Sequence, residues 1–208
     1  MNSRHFFDTA ARAWDSRPST RDAKRAIQTA VRALGPRDGD EVLDIGCGTG
    51  ISIPELSSAV GATGKVIGLD FSYTMLAQAN AKKLASNAAY TQGDAHLLPV
   101  RPESVDAVLC FAAFAHFAGK ETFLEEVYRV LRPGGGIVIC HAMSSAELNR
   151  FHRSVGDEVG SDVLPDAERV AAMGRARGFA VDKTIEKSGL YMVAFRKPPE
   201  PSTSSSTQ

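Results

Sequence analysis

Between Glu41 and Cys140, short apolar runs alternate with stretches in which apolar residues recur every three or four positions. This is the pattern of buried strands separated by amphipathic helices. Val42, Leu43 and Ile45 make the first run. Lys65–Asp70, the segment from Ala89, Ser104–Phe111 and Gly136–Cys140 make the next four. Helices are predicted over 51–60, from the Ser72 N-cap to about Ser86, and over 120–132. Upstream, Phe6, Phe7, Ala10 and Trp14 fall on one helical face of residues 2–17. Ala23, Ala26, Ile27, Ala30, Val31 and Leu34 stripe a helix over 19–34 that Gly35-Pro36 ends. Downstream, the pattern predicts a helix over 144–154 with Asn149 and His152 on one face, a loop over 156–162, and a helix from Pro165 to near Gly178. A hairpin of 179–186 and 190–196 follows, turning at Lys187-Ser188-Gly189. Alternating strands and helices imply an α/β fold with a doubly wound, mostly parallel sheet. One domain is expected over 1–197, and the Pro/Ser/Thr-rich 198–208 is expected to be disordered.

A length of 208 residues suits a single such domain with a substantial core. Lys plus Arg and Asp plus Glu number 24 each, so no global charge attracts a polyanion, and nucleic acid is not the expected substrate. Met1–Asp8 has no apolar signal core, and the longest apolar stretch, Val108–Ala115, is too short to span a bilayer. A cytoplasmic protein without a membrane span is expected. The cysteines Cys47, Cys110 and Cys140 are odd in number and fall in or beside strands, which argues against a disulfide framework.

The chemistry concentrates at Asp44-Ile-Gly-Cys-Gly-Thr-Gly50. A strand, a glycine-rich turn and a helix form the nucleotide-binding corner of a doubly wound sheet. Asp44 interrupts a buried strand, which is costly unless a partner satisfies it. Gly46, Gly48 and Gly50 permit close backbone approach of a ligand. Ile51 stands where the dinucleotide fingerprint needs its third glycine, and no Gly-Lys-Ser/Thr follows, so pyrophosphate and P-loop readings fit poorly. Asp70 ends the second strand about twenty residues on, placed to accept from ribose hydroxyls.

D-I-G-C-G-T-G resembles motif I of the class I S-adenosylmethionine (SAM) methyltransferases. D-F-S-x-x-M-L-x-x-A from Asp70, Gly93-Asp94-Ala95, Leu97-Leu98-Pro99-Val100 and F-L-E-E-V-Y-R-V-L-R-P-G-G-G-I-V-I resemble later segments of that family. F-F-D-x-x-A-x-x-W-D resembles the start of its ubiquinone/menaquinone-type members. The resemblance implies a Rossmann-like, seven-stranded, mostly parallel sheet with an antiparallel β6–β7 hairpin and an N-terminal helical lid over residues 1–38. It implies SAM as cofactor and S-adenosylhomocysteine (SAH) as product. Asp44, Gly46, Cys47, Gly48 and Gly50 would meet the methionine part, and Asp70 the ribose. Phe71 and Met75 would border the adenine, Asp94 would take its exocyclic amine, the Ala95 amide would reach a ring nitrogen, and Phe111 would stand nearby. Phe7 and Trp14 would close over the pocket.

The implied reaction is methyl transfer to a small-molecule acceptor. An oxygen or nitrogen acceptor also needs a base, and His116 and His141 are the candidates, after the fourth and fifth strands. Both also count as acceptor contacts. Cys47, Cys110 and Cys140 with His116, His141 and His152 would offer a metal or metalloid cluster, but none has metal-motif spacing and no metal site is assigned. The rival readings are a non-catalytic SAM-binding regulator and a nicotinamide-dependent oxidoreductase. Residues 1–20, 112–118 and 142–165 are the parts expected to choose the acceptor.

Overall fold

The computed structural model describes residues 3–16, 20–155 and 160–200. Seven strands, β1 (Glu41–Ile45), β2 (Lys65–Asp70), β3 (Ala88–Gln92), β4 (Val105–Phe111), β5 (Leu131–His141), β6 (Ala180–Lys187) and β7 (Leu190–Arg196), form one sheet. Their order is β3-β2-β1-β4-β5-β7-β6. The first five are mutually parallel, and β7 runs antiparallel to both β5 and β6. The sequence-predicted α/β sheet with its terminal hairpin is the fold observed.

Strand parity divides the core. Leu43, Ile45, Val108, Cys110, Ile137 and Ile139 face one side, where Phe123, Leu124 and Val127 of α5 (Lys120–Val130) and Val170 and Ala171 of α7 (Ala167–Arg175) cover them. Val42, Ala107, Leu109, Val138 and Cys140 face the other, under Ala26, Ile27 and Ala30 of α2 (Thr20–Leu34) and Leu56 and Val60 of α3 (Ile53–Val60). Alternate residues of a strand point to opposite faces, so helices on both sides require the continuous apolar runs seen in the sequence. The edge strand β6 instead carries Asp182, Lys183, Glu186 and Lys187, charges that discourage further strand pairing.

The remaining helices are α1 (Ser3–Ala10), followed by a 3-10 turn at Ala11–Ser16, α4 (Tyr73–Ala81) and α6 (Ser145–Val155). No described helix is long and apolar enough to cross a membrane. Three elements differ from the sequence reading. The helix expected to reach Ser86 stops at Ala81, and Lys83 then turns the chain with φ +48°. Of the helix expected over 2–17, the described residues 3–16 change from α to 3-10 geometry at Ala11. β5 begins at Leu131 rather than Gly136, because Leu131 already pairs with Val105 before the register shifts and resumes at Gly136. The expected disorder of 201–208, Ser19 of the second helix, and residues 156–159 of the predicted loop lie outside the described residues.

The chain leaves β1 toward β2 and β3 on one side, and β4 toward β5 on the other. The crevice between the carboxyl ends of β1 and β4 is therefore the topological switch point, where ligands bind in open sheets of this kind.

Candidate functional site

A cavity of about 1080 Å³ opens at that switch point. Its floor is the glycine loop. The Gly46 and Cys47 amides donate to the Leu69 carbonyl at 2.7 and 3.1 Å, so the loop folds back over the end of β2. Gly46 and Gly48 adopt φ of +72° and +53°, in the left-handed region that glycine enters without strain. They serve different ends. A Cβ at Gly46 would lie 2.3 Å from Ala113 Cβ, so a glycine is needed for the β1 and β4 loops to close on each other. A Cβ at Gly48 would meet nothing within 4 Å, and Gly48 lines the cavity, so this glycine keeps the cradle clear.

Two carboxylates hold the loop from below and beside. Asp70, at the end of β2, accepts from the Gly48 amide and from the Ser72 amide, each at 2.9 Å. Burial raises its pKa, and the amide bonds work against that rise. The Phe71 amide also bonds this carboxylate, which leaves part of its acceptor capacity for a ligand hydroxyl. Asp44 is 1% exposed and takes the Ser52 hydroxyl on one oxygen, while its Oδ1 meets no partner among the described residues. Burial pushes this carboxyl up to about 7. Asp44 is not on the cavity wall. It sits behind the loop, and its reach toward a ligand runs through Ser52 and the loop backbone.

Gly93, Asp94 and Ala95 line the wall beyond β3, beside Phe71 and Met75. The Gly119 amide donates to His96 Nε2, which places the ring proton on Nδ1, 2.7 Å from Asp94 Oδ1. The His96 amide donates to the same oxygen at 2.9 Å. Asp94 is thus held in a tight turn facing the cavity.

The N-terminal segment covers this floor. The Phe7 ring stands 5.7 Å from Phe71, 5.5 Å from Trp14 and 5.0 Å from His116, centroid to centroid. Asp8 accepts from the Ser72 hydroxyl. Asp15 accepts from Thr49 Oγ1 at 2.6 Å and pairs with Lys82, whose ammonium also donates to the Thr49 carbonyl at 2.9 Å. The cover is therefore bonded to the glycine loop and to the turn after β2.

At the other end of the cavity stand His116, His141 and His152, with Met143, Leu148 and Phe151. His116 lies in a short 3-10 turn after β4, where Ala112 takes φ +56°. Its Nδ1 is 2.6 Å from Asp162 Oδ2. His152 Nδ1 is 2.8 Å from the Asp162 carbonyl oxygen, and the two imidazoles lie tilted by 32° with centroids 5.0 Å apart. His141, at the end of β5, is 2% exposed and packs edge-on against Tyr191. Burial lowers its pKa to about 3, and His116, His152 and Lys120 add to the effect. Its Nε2 has no hydrogen-bond partner among the described residues.

The segment carrying His152 and Asp162 is tied at both ends to one edge-strand side chain. Glu186 of β6 accepts from the Ser145 amide at 2.9 Å and from the Ala167 amide at 2.8 Å, and also takes the Ser145 hydroxyl. It thereby joins the N-termini of α6 and α7.

All the sequence-predicted site residues except Asp44 line this one cavity: Gly46, Cys47, Gly48, Gly50, Asp70, Phe71, Met75, Asp94, Ala95, Phe111, Phe7, Trp14, His116 and His141. The sequence reading missed Asp15, Thr49 and Lys82 on the wall, and Asp162 behind His116. Asp15 belonged to the W-D pair already singled out, but nothing local marks a loop aspartate such as Asp162 as the partner of a histidine 46 residues away. The cysteine–histidine cluster does not assemble. Cys110 pairs with Ile139 and Cys140 with Phe111, so parity sends the two thiols to opposite faces of the sheet. All three cysteines are free and buried, and burial raises their pKa, Cys140 to about 12. Among the described residues no group of three His, Cys, Asp or Glu side chains is placed to hold a metal ion.

A family model described as "Methyltransferase domain" matches residues 42–135. The chain is 40% identical over 183 residues to a demethylmenaquinone methyltransferase of Lactococcus lactis, covering 80% of this chain and 72% of that protein. It is 36% identical over 140 residues to the demethylmenaquinone methyltransferase of Oceanobacillus iheyensis, covering 64% of this chain and 59% of that protein. Among solved structures, a SAM-dependent methyltransferase from Aquifex aeolicus superposes with a TM-score of 0.74 at 22% identity, covering 91% of this chain and 98% of that one. A Haloferax volcanii chain solved in complex with the Trm112 methyltransferase activator superposes with a TM-score of 0.81 at 23% identity, covering 96% of this chain and 99% of that one. The sequence relationship, and the likeness of fold with it, leave no place for the nicotinamide oxidoreductase: the chain belongs to the class I SAM-dependent methyltransferases, enzymes that move a methyl group from SAM to an acceptor, here a small molecule.

Proposed function

We propose that this enzyme methylates a small, planar, proton-bearing acceptor seated between Phe7, His116 and His152, and that reduced demethylmenaquinone is the first acceptor to test. The observation that carries the reading is the continuity of one cavity from the glycine loop to the histidine cluster. Its volume of about 1080 Å³ slightly exceeds the usual span of a small-molecule site (about 300–1,000 Å³), which suits cofactor and acceptor together. The ring is specified as reduced because a hydroquinone is nucleophilic and its quinone is not. The names of the Lactococcus and Oceanobacillus relatives support this choice.

The donor set suits SAM. Gly48 leaves a cradle that a Cβ would fill, Asp70 offers acceptor lone pairs to a ribose diol, and Asp94 with the Ala95 amide offers an acceptor and a donor to an adenine edge. The apolar faces of Phe71 and Met75 flank that edge. When bound, SAM supplies an activated methyl group. The protein's part is to align the reactants and remove a proton. His116 is the base: its Nδ1 is engaged by Asp162, leaving Nε2 to accept. His141, whose pKa burial lowers to about 3, is too weak a base for that task and shapes the wall instead. Residues 1–38 belong to the same single domain over 1–197 and act as the lid, through Phe7, Trp14, Asp8 and Asp15. The three free thiols suit a reducing cytoplasm.

Titration calorimetry with SAM, SAH and NAD, on the wild type and Asp70→Ala, tests the cofactor assignment. Binding of SAM and SAH, at least about tenfold weaker in the variant for the loss of a charge-assisted hydrogen bond, is expected. Equal affinity in the variant overturns the role of Asp70. Methyl transfer from labelled SAM to reduced demethylmenaquinone tests the acceptor, and the absence of labelled product overturns that choice.

A further inference from the structure

His116 and His152 reach the same stretch of cavity wall from different elements, and both are oriented by Asp162, which lies between α6 and α7. Asp162 presents its carboxylate to His116 Nδ1 and its backbone carbonyl to His152 Nδ1. A carbonyl oxygen only accepts, so His152 carries its proton on Nδ1. The carboxylate selects the same tautomer in His116. Both rings then have a bare Nε2. The His116 and Asp162 side chains are 17% and 16% exposed, sheltered enough for the pairing to persist. The other titratable groups around them are His141 of β5 and Lys120 of α5.

We propose that Asp162 is a positioning residue for methyl transfer: it fixes His116 in the Nδ1–H tautomer, keeps Nε2 available as proton acceptor, and so commits the enzyme to acceptors with an O–H or N–H proton to lose. The proposal rests on the reading of His116 as the base. In the step, the acceptor O–H or N–H bond breaks and its proton passes to His116 Nε2. The freed electron pair forms the new bond to the methyl carbon, and the bonding pair of the old methyl–sulfur bond stays on sulfur. Where the new bond forms at a conjugated ring carbon, that carbon loses its own proton and the oxygen regains one, so one proton is released overall. Asp162 keeps its contact with Nδ1 and stabilises the imidazolium that forms. His152 offers a second acceptor Nε2 that orients the acceptor's donor group. A thioether or a trivalent metalloid has a lone pair but no proton to give, and gains nothing from this arrangement.

The test compares the full-length wild type, Asp162→Asn, Asp162→Glu and His116→Asn, each bound to SAH. Imidazole ¹⁵N–¹H spectra read the tautomer without any acceptor. His116 is expected as Nδ1–H in the wild type and in Asp162→Glu. In Asp162→Asn the amide can donate to Nδ1, so the ring is expected to shift toward Nε2–H. With reduced demethylmenaquinone as the probe, turnover of Asp162→Asn should fall at least about 100-fold, the low end for loss of general-base catalysis, with SAM affinity unchanged and partial rescue in Asp162→Glu. An unchanged His116 tautomer in Asp162→Asn overturns the proposal, as does wild-type turnover in that variant. Wild-type turnover in His116→Asn instead overturns the base reading on which the proposal rests. Loss in His116→Asn without loss in Asp162→Asn removes Asp162 alone.

Discussion

Thr49 Oγ1 donates to Asp15 Oδ1 at 2.6 Å, joining the glycine loop to the segment that lies over it. Lys82 closes the triangle by pairing with Asp15 and donating to the Thr49 carbonyl. Burial opposes ionisation of Asp15, but its bonds to Lys82 and Thr49 outweigh that and hold its pKa below the ordinary carboxylate value. Asp15→Ala should therefore loosen the cover without unfolding the domain. The expected loss is about 0.5–1.5 kcal/mol of cofactor affinity, the net worth of one such hydrogen bond. It should appear chiefly as faster SAH release in stopped-flow experiments. An unchanged release rate would show that the cover does not retain the cofactor.

Gly46 and Gly48 are two residues apart, yet their alanine variants should fail in different ways. Gly46→Ala drives a methyl group into Ala113 and should lower stability by about 1–3 kcal/mol, as overpacking does. Gly48→Ala carries only the cost of its positive φ, about 1 kcal/mol, and should fold while binding SAM more weakly. Urea denaturation beside calorimetry separates the two effects. Equal SAM affinity in Gly48→Ala would mean that the cradle is not in contact with the cofactor.

Stability should carry two opposed pH dependences. Folded Asp44 keeps its proton until about pH 7, whereas the unfolded chain gives it up near 3.8. Its contribution is fully present below the lower value and is lost as pH rises to the upper. Folded His141 refuses a proton until about pH 3, whereas the unfolded chain takes one near 6.5. Its contribution is present above 6.5 and is lost as pH falls through the folded value. Relative to wild type, Asp44→Asn should gain stability as pH rises from 4 to 7, and His141→Gln as pH falls from 6.5 to 4. Each slope is at most about 1.4 kcal/mol per pH unit. Urea midpoints at several pH values read both, and a flat difference for either variant would show that the group titrates alike in the two states.

Cys110→Ala and Cys140→Ala should each destabilise the fold modestly and leave methyl transfer and SAM affinity unchanged, because the two thiols lie on opposite faces of the sheet. A chelator should have no effect on turnover. Loss of activity on chelation would bring a metal back into the account.

The part of the cavity around the glycine loop was legible in the sequence because its residues are local. Gly46 to Gly50 make one turn, Asp70 ends one strand, and Gly93 to Ala95 make another turn, each with its own spacing. The acceptor half was only partly legible. His116 and His141 could be placed at strand ends, but whether each is sealed in or held by a carboxylate depends on segments far away in the chain. His141 is enclosed by Tyr191, and His116 meets Asp162. For Asp44, the interrupted apolar run signals a buried carboxylate in need of a partner, and the resemblance to motif I supplies the expected cofactor contact. The place of Asp44 behind the loop depends on Ser52, one helical entry later, whose hydroxyl it receives. The cysteines looked adjacent because they end neighbouring strands, but adjacency along the sheet does not decide the face. The registers of β4 and β5 do.

Glu186 gives the acceptor half a further property. One carboxylate fixes the first residue of α6 and the first residue of α7, and Glu147 of α6 also accepts from Ser188 and Gly189 at the turn of the same hairpin. The hairpin adds to caps that the chain supplies itself, Ser144 with Glu147 at α6 and Asp166 at α7. The segment can therefore be treated as an exchangeable cassette. A related enzyme with an acidic residue at the same hairpin position can donate its own stretch, carrying its own wall residues into an unaltered cofactor floor. Replacing this stretch should change the part of the cavity wall that Leu148, Phe151 and His152 supply, with the sheet and the glycine loop left untouched.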